Sequence, residues 1–103
     1  MHPPDNKASG LCALCGRTGV SITVHHLIPR EMGGSHEPTA QLCHPCHKRL
    51  HALYTNEELA ARLSSIAALQ ADEQIRLYLK WIRKQPPETI PRTRKSRAVR
   101  GGR

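Results

Sequence analysis

Cys12-Ala-Leu-Cys15 and, after a long insert, Cys43-His-Pro-Cys46-His47-Lys-Arg-Leu-His51 are the stretches that decide the architecture of this chain. They hold all four of its cysteines. Each CxxC pair can wrap one edge of a tetrahedral ion, with the backbone turned tightly around the sulfurs, so the two together read as a four-cysteine structural zinc site. Two disulfides are the alternative. CxxC is the spacing of a metal knuckle rather than of a spaced disulfide framework, and nothing at the N-terminus resembles a secretory signal. A different partition would join Cys12 and Cys15 to His47 and His51 in a finger-like site. The insert between the knuckles is longer than in a simple zinc ribbon, and it carries His25-His26.

A chain of 103 residues with no Phe, one Trp and two Tyr makes a single small domain with few large groups for a core. Metal then supplies part of the stability, and the apo chain is expected to be largely disordered around both knuckles. The absence of an apolar run long enough for a membrane span points to a soluble protein; a cytoplasmic location is expected, and the oligomeric state, monomer or weak dimer, is left open by the sequence. The net charge of +8 is unevenly spread. From Met1 to Leu79 seven Lys and Arg balance seven Asp and Glu, whereas from Lys80 onward nine basic residues face only Glu88. The segment from Pro86, with Pro87, Pro91, Gly101-Gly102 and the run Arg92, Arg94, Lys95, Arg97, Arg100 and Arg103, reads as a flexible arm suited to a polyanion, each neutralised phosphate releasing a counterion.

Four segments follow from the pattern: a polar, flexible N-terminus over 1–10, a zinc-tied unit over 11–53, a helical extension over 54–85 and a basic flexible tail over 86–103. Val20-Ser-Ile-Thr-Val24 alternates as a strand does and delivers His25 and His26; Glu31 to Pro38 is a loop, and Ala40-Gln41-Leu42 a short return strand. Pro45 fits the first turn of a helix on which His47 and His51, four apart, share a face. Thr55 and Glu58 form a capping box for a helix with Leu59, Leu63, Ile66 and Leu69 on one stripe. Asp72 caps a second, carrying Ile75, Tyr78, Leu79 and Ile82. Trp81, beside Lys80, Arg83 and Lys84, has the chemistry to stack on a base, but on an amphipathic helix it is assigned to the core.

His25-His26-Leu-Ile-Pro29-Arg30, then Gly33-Gly34, then Cys43-x-x-Cys46-His47-x-x-x-His51 resemble the HNH nucleases, in the branch whose unit is tied by two CxxC knuckles. The resemblance spans residues 12 to 53. It implies an α+β fold: a small ββα-metal (His-Me finger) unit tied by a four-cysteine zinc site, followed here by two α-helices and a disordered basic C-terminal tail. It also implies that His25, His47 and His51 hold a catalytic divalent ion (Mg2+, Mn2+, Ni2+ or Zn2+) and that His26 is the general base. An imidazole suits that task at neutral pH because the free side chain titrates near about 6.5. The ion would stabilise charge on the phosphoryl oxygens and the departing 3′ oxygen. The family commonly has an Asn about five residues before its third cysteine, bracing the loop that carries the base; here that position is Pro38, and no Asn lies between His26 and Cys43. Thr39 or Glu37 is the candidate substitute.

His25 and His26 on an ideal strand point to opposite faces, so both reach one phosphate only if the backbone bends before Pro29. His36 and His44 are read as exposed. Lys48 and Arg49 on the ligand helix are assigned as phosphate clamps together with Arg30, with DNA as the partner. Three functions are compatible with these residues: a metal-dependent DNA endonuclease, a non-catalytic zinc-stabilised DNA-binding module, and an interaction protein with an incidental basic arm. The first accounts for the most residues.

Overall fold

A computed structural model describes residues 9–89 together with Pro91 and Val99. Three antiparallel strands, β1 (Ser9–Gly10), β2 (Val20–His26) and β3 (Thr39–Cys43), form a sheet in the order β1-β2-β3. The pairing of β2 with β3 runs from Ile22↔Cys43 to His26↔Thr39. It thereby sets the second knuckle and the histidine pair at opposite ends of one ladder. Ser9 and Gly10, expected to be flexible, instead pair with Ser21 and Val20. The free edge of β2 gives their backbone groups partners that water would otherwise supply.

Helix α1 (His44–Leu53) starts directly from β3, with Cys43 as its N-cap and Pro45 in the first turn, where no backbone N–H is needed. The two histidines at 47 and 51 are thus carried on the element that also carries Cys46. The Thr55 capping box forms as expected: Thr55 Oγ1 accepts from the Glu58 N–H at 3.2 Å, and Glu58 Oε1 accepts from the Thr55 N–H at 2.9 Å. Beyond it the expectation of two helices is corrected to three: α2 (Asn56–Arg62), α3 (Ile66–Ala71) and α4 (Glu73–Ile82). Ser64 and Ser65 interrupt the first, because serine side chains compete for backbone groups. The Ser65 hydroxyl recaps α3 by accepting from the Ala68 N–H at 3.1 Å. Leu59, Leu63 and Leu69 are all buried across that break, which one straight helix would have had to achieve along a single line.

Helix α4 buries Ile75, Tyr78, Leu79 and Ile82 and leaves Leu77 54% and Trp81 44% exposed. The assignment of Trp81 to the core is therefore corrected: the four buried residues already fill the apolar stripe, and Trp81 falls outside it. The extension is docked on the first knuckle by polar contacts from several directions. Gln70 Nε2 donates to the Leu14 carbonyl at 3.1 Å, and Arg83 Nε donates to the Cys15 carbonyl at 2.9 Å. Arg17 Nη1 donates to the carbonyls of Gln85 at 3.2 Å and Pro86 at 2.8 Å. The chain is thus tied down as far as Pro86, the first residue of the expected arm. Arg92, Arg94, Lys95, Arg97, Arg100 and Arg103 lie outside the described residues. Among the described residues, no helix is long and apolar enough to cross a membrane.

Candidate metal centres

The first knuckle is a tight turn. The Cys12 N–H donates to the Arg17 carbonyl at 3.0 Å and the Gly16 N–H to the Cys12 carbonyl at 2.9 Å, while Gly16 takes a φ of 81° that favours glycine. The Cys15 N–H points at Cys12 Sγ, 3.4 Å away. The Ala13 N–H donates to the Gln41 carbonyl at 2.8 Å, which lashes this turn to β3 and so to Cys43. The result is four buried sulfurs, all within 4.8 Å of one another. Cys15 and Cys43 Sγ are 3.9 Å apart, close to the roughly 3.8 Å expected between thiolates that each bond zinc at about 2.3 Å in a tetrahedron.

Arg17, only 9% exposed, faces this group: its Nε donates to Cys15 Sγ and its Nη2 to Cys43 Sγ, both at 3.4 Å. Thiols packed this closely divide their protons unevenly. Hydrogen bonds with Cys12, Cys43 and Cys46 hold the Cys15 thiol far below its ordinary range, while those with Cys12, Cys15 and Cys43 push Cys46 far up. A divalent cation removes the conflict, since all four can then be thiolates, and the Arg17 charge offsets the resulting negative set. The four sulfurs fit structural zinc. Both alternative pairings from the sequence are set aside, because His47 and His51 belong to a separate cluster and the four cysteines are free.

The second cluster is His25, His47 and His51, whose ligand nitrogens also lie within 4.8 Å of one another. Ring centroids are 5.1 to 5.4 Å apart. His25 is buried, and neither of its ring nitrogens has a hydrogen-bond partner. Leaving a buried N–H unpaired costs about 1–3 kcal/mol, so the orphaned imidazole is itself a sign that something else belongs there. Burial, then the proximity of His47, His51 and His26, lowers the His25 pKa to about 4; burial and the neighbouring His51 do the same for His47. Both rings are therefore neutral near pH 7, the state in which imidazole ligates a metal. Burial also lowers His51, the exposed member.

The tautomer of His47 follows from its neighbour. Thr23 Oγ1 lies 2.9 Å from the Leu42 carbonyl, which can only accept, so the hydroxyl proton points there. The same oxygen is 2.8 Å from His47 Nδ1 and must then accept from it. His47 therefore carries its proton on Nδ1, and the Nε2 lone pair remains for an ion.

His26 alternates with His25 along β2, yet both line one open cleft of about 400 Å³ with His47, His51 and Arg30. The reconciliation is the bend at Leu27 and Ile28, just before Pro29. Backbone braces that bend. The Leu27 N–H donates to the Pro38 carbonyl at 3.3 Å, and the Gly34 N–H to the Pro29 carbonyl at 3.1 Å. Gly34 sits so close that a Cβ there would lie 1.7 Å from the Ile28 carbonyl oxygen. Pro38 thus contributes its backbone carbonyl to holding the loop.

Of the remaining assigned residues, Arg30 and Lys48 are exposed, as are His36 and His44. Arg49 is not beside the histidines. It stacks over the Tyr78 ring, 4.4 Å from the centroid, on the α4 side of α1, as its position two residues from both His47 and His51 requires. Three residues of these centres were missed in the sequence. Thr23 was legible in principle, being two residues before His25 on the same strand face. Arg17, two residues after Cys15, carried a weaker local signal. Asn56, which also lines the histidine cleft, carried none, since it comes from α2.

A sheet and helix joined by a sulfur knot, with three imidazoles converging beside it, define a zinc-tied ββα-metal unit. The family model for HNH endonucleases matches residues 12–53. A Bacillus subtilis (strain 168) protein described as "Uncharacterized protein YisB" is 57% identical over 90 residues, covering 87% of this chain and 90% of that protein. The chain belongs to the HNH endonuclease family. No solved structure matches it.

Proposed function

We propose that the protein is a metal-dependent endonuclease that hydrolyses phosphodiester bonds in DNA. One observation carries this reading: three imidazoles from two elements, one of them buried with both nitrogens unpaired, converge at the floor of an open cleft that a fourth histidine also lines. His25, His47 and His51 would hold a divalent ion, with Thr23 fixing the His47 ring. Such an ion, when bound, supplies Lewis-acid stabilisation of charge on the phosphoryl and 3′ oxygens. His26 takes a proton from the attacking water at the mouth of the cleft. Arg30, at the cleft edge, and Lys48 contact phosphates, and the basic arm (Arg92, Arg94, Lys95, Arg97, Arg100) adds non-specific attraction to DNA.

The test is incubation of the purified protein with supercoiled plasmid, with and without added Mg2+, Mn2+ or Ni2+. Metal-dependent conversion to nicked or linear forms is expected, and His26→Ala should lower the rate about 10²–10⁴-fold at unchanged zinc content. Near-normal nicking by that variant would overturn the role of His26. Binding of DNA with no cutting under any ion would leave a zinc-stabilised DNA-binding module, the reading that Pro38 in the asparagine position favours.

A further inference from the structure

On the face of α1 turned away from the histidines, a second cleft of about 440 Å³ opens between α1 and α4, within the roughly 300–1,000 Å³ of small-ligand sites. Its walls include Arg49, Gln74, Leu77, Tyr78, Trp81 and Pro91. Leu77 and Trp81, one turn apart on α4, form an exposed apolar ridge. Arg49 lies over the Tyr78 ring at its edge, and Tyr78 and Trp81 have centroids 5.9 Å apart. No carboxylate is among the lining residues, and among the described residues none pairs with Arg49. Lys80 on α4 and Lys84 just beyond its end extend the positive character. Gln74 donates through Nε2 to Tyr54, so its carbonyl oxygen is the polar group left for a ligand.

Exposed aromatic surface, a guanidinium, a carboxamide and no acid match the chemistry of a planar base attached to a phosphate. We propose that this cleft is a subsite for an unpaired nucleotide of single-stranded nucleic acid, the base stacking on Trp81 and its phosphate meeting Arg49. The proposal rests on the nucleic-acid reading of the histidine cleft and extends it. A duplex buries its base faces in its own stack, so only an unpaired stretch can use the ridge. Because Arg49 and the histidines occupy opposite sides of one helix, about 10–12 Å across with its side chains, the two clefts can engage different parts of one substrate.

Trp81 is the only tryptophan in the chain, so tryptophan emission, excited where tyrosine does not absorb, reports this cleft alone. The intact zinc-loaded protein, without added catalytic ion, is titrated with a short oligothymidylate and with a blunt duplex of equal phosphate count. The single strand should quench Trp81 at concentrations where the duplex does not. Trp81→Ala should lower the ratio of single-strand to duplex affinity about tenfold, read by anisotropy of labelled oligonucleotides, and Trp81→Phe should restore most of it. Equal quenching by both probes would reduce the effect to charge and overturn the proposal. So would a change in Trp81 emission on removing residues 92–103 without nucleic acid, which would give the cleft to the chain's own C-terminal segment. A protein that cuts plasmid but shows no selective quenching keeps the nuclease reading and loses this one; selective quenching without cutting does the reverse.

Discussion

The two ligand clusters share α1 and lie at opposite ends of the β2-β3 ladder, yet one is a closed knot and the other an open mouth. All four cysteines are buried in the hydrophobic core, joined to Leu42, Leu50, Leu79 and Ile82, and the extension is bolted over them through Arg17, Gln70 and Arg83. The histidines grade from buried His25 to exposed His51 and share their cleft with Arg30 and Asn56. A four-thiolate site with no free position suits structure, whereas an ion held by three neutral imidazoles with open space beside them would keep a coordination position free. Both clusters use α1, to which the histidines add β2 and the cysteines add β3 and the turn before β2. What separates them is depth relative to the core, set by which end of the ladder each occupies.

The sharpest way to break this contrast is to attack the knot. Cys43→Ser should remove zinc and unfold the chain, because structural zinc contributes on the order of 10 kcal/mol in small domains; a cooperative thermal melt with unchanged zinc content would show that the sulfurs are not what holds the fold. Next in size is Arg17→Ala, which loses contacts to two sulfurs and two carbonyls. A loss of roughly 2–4 kcal/mol is expected in denaturant titration, together with faster zinc release to a chromogenic chelator, an effect that a purely local packing defect would not produce.

The histidine cluster should respond in the opposite sense. His25→Ala should melt near the parent temperature and keep its zinc, while the midpoint of metal activation moves by more than about tenfold. If it loses zinc instead, the clusters are not independent. The smallest effect should come from Thr23→Val, which keeps the shape but leaves the His47 Nδ1–H without its acceptor. Divalent-ion binding measured by calorimetry should weaken by about tenfold, with a stability change near 1 kcal/mol.

Much of this was legible in the chain before any fold was known. The CxxC spacing carried the knot, the four-residue interval carried the pairing of His47 with His51, and Thr55 with Glu58 carried a helix start, because each is a local geometric rule. The β2 strand was legible for the same reason. The break at Ser64-Ser65 was not, since an unbroken stripe from Leu59 to Leu69 is equally good helix until the core demands a corner. Trp81 was assigned wrongly because a helical period says which residues share a face but not how wide a face the neighbours can cover. Arg49 shares its helix with His47 and His51, and its helical phase turns it from both of them toward Tyr78.

The sequence by itself therefore determined the chemistry of this protein: which side chains can bind metal, in what groups, and on which kinds of element, since ligand type and spacing are properties of the chain. Only the tertiary structure decided which cluster is sealed and which is open, that Thr23 orients His47, that the Pro38 carbonyl receives the Leu27 N–H, and that Trp81 and Arg49 line one cleft. Those outcomes depend on contacts between residues far apart in the chain, and such contacts are chosen by packing the whole core at once rather than by any local rule.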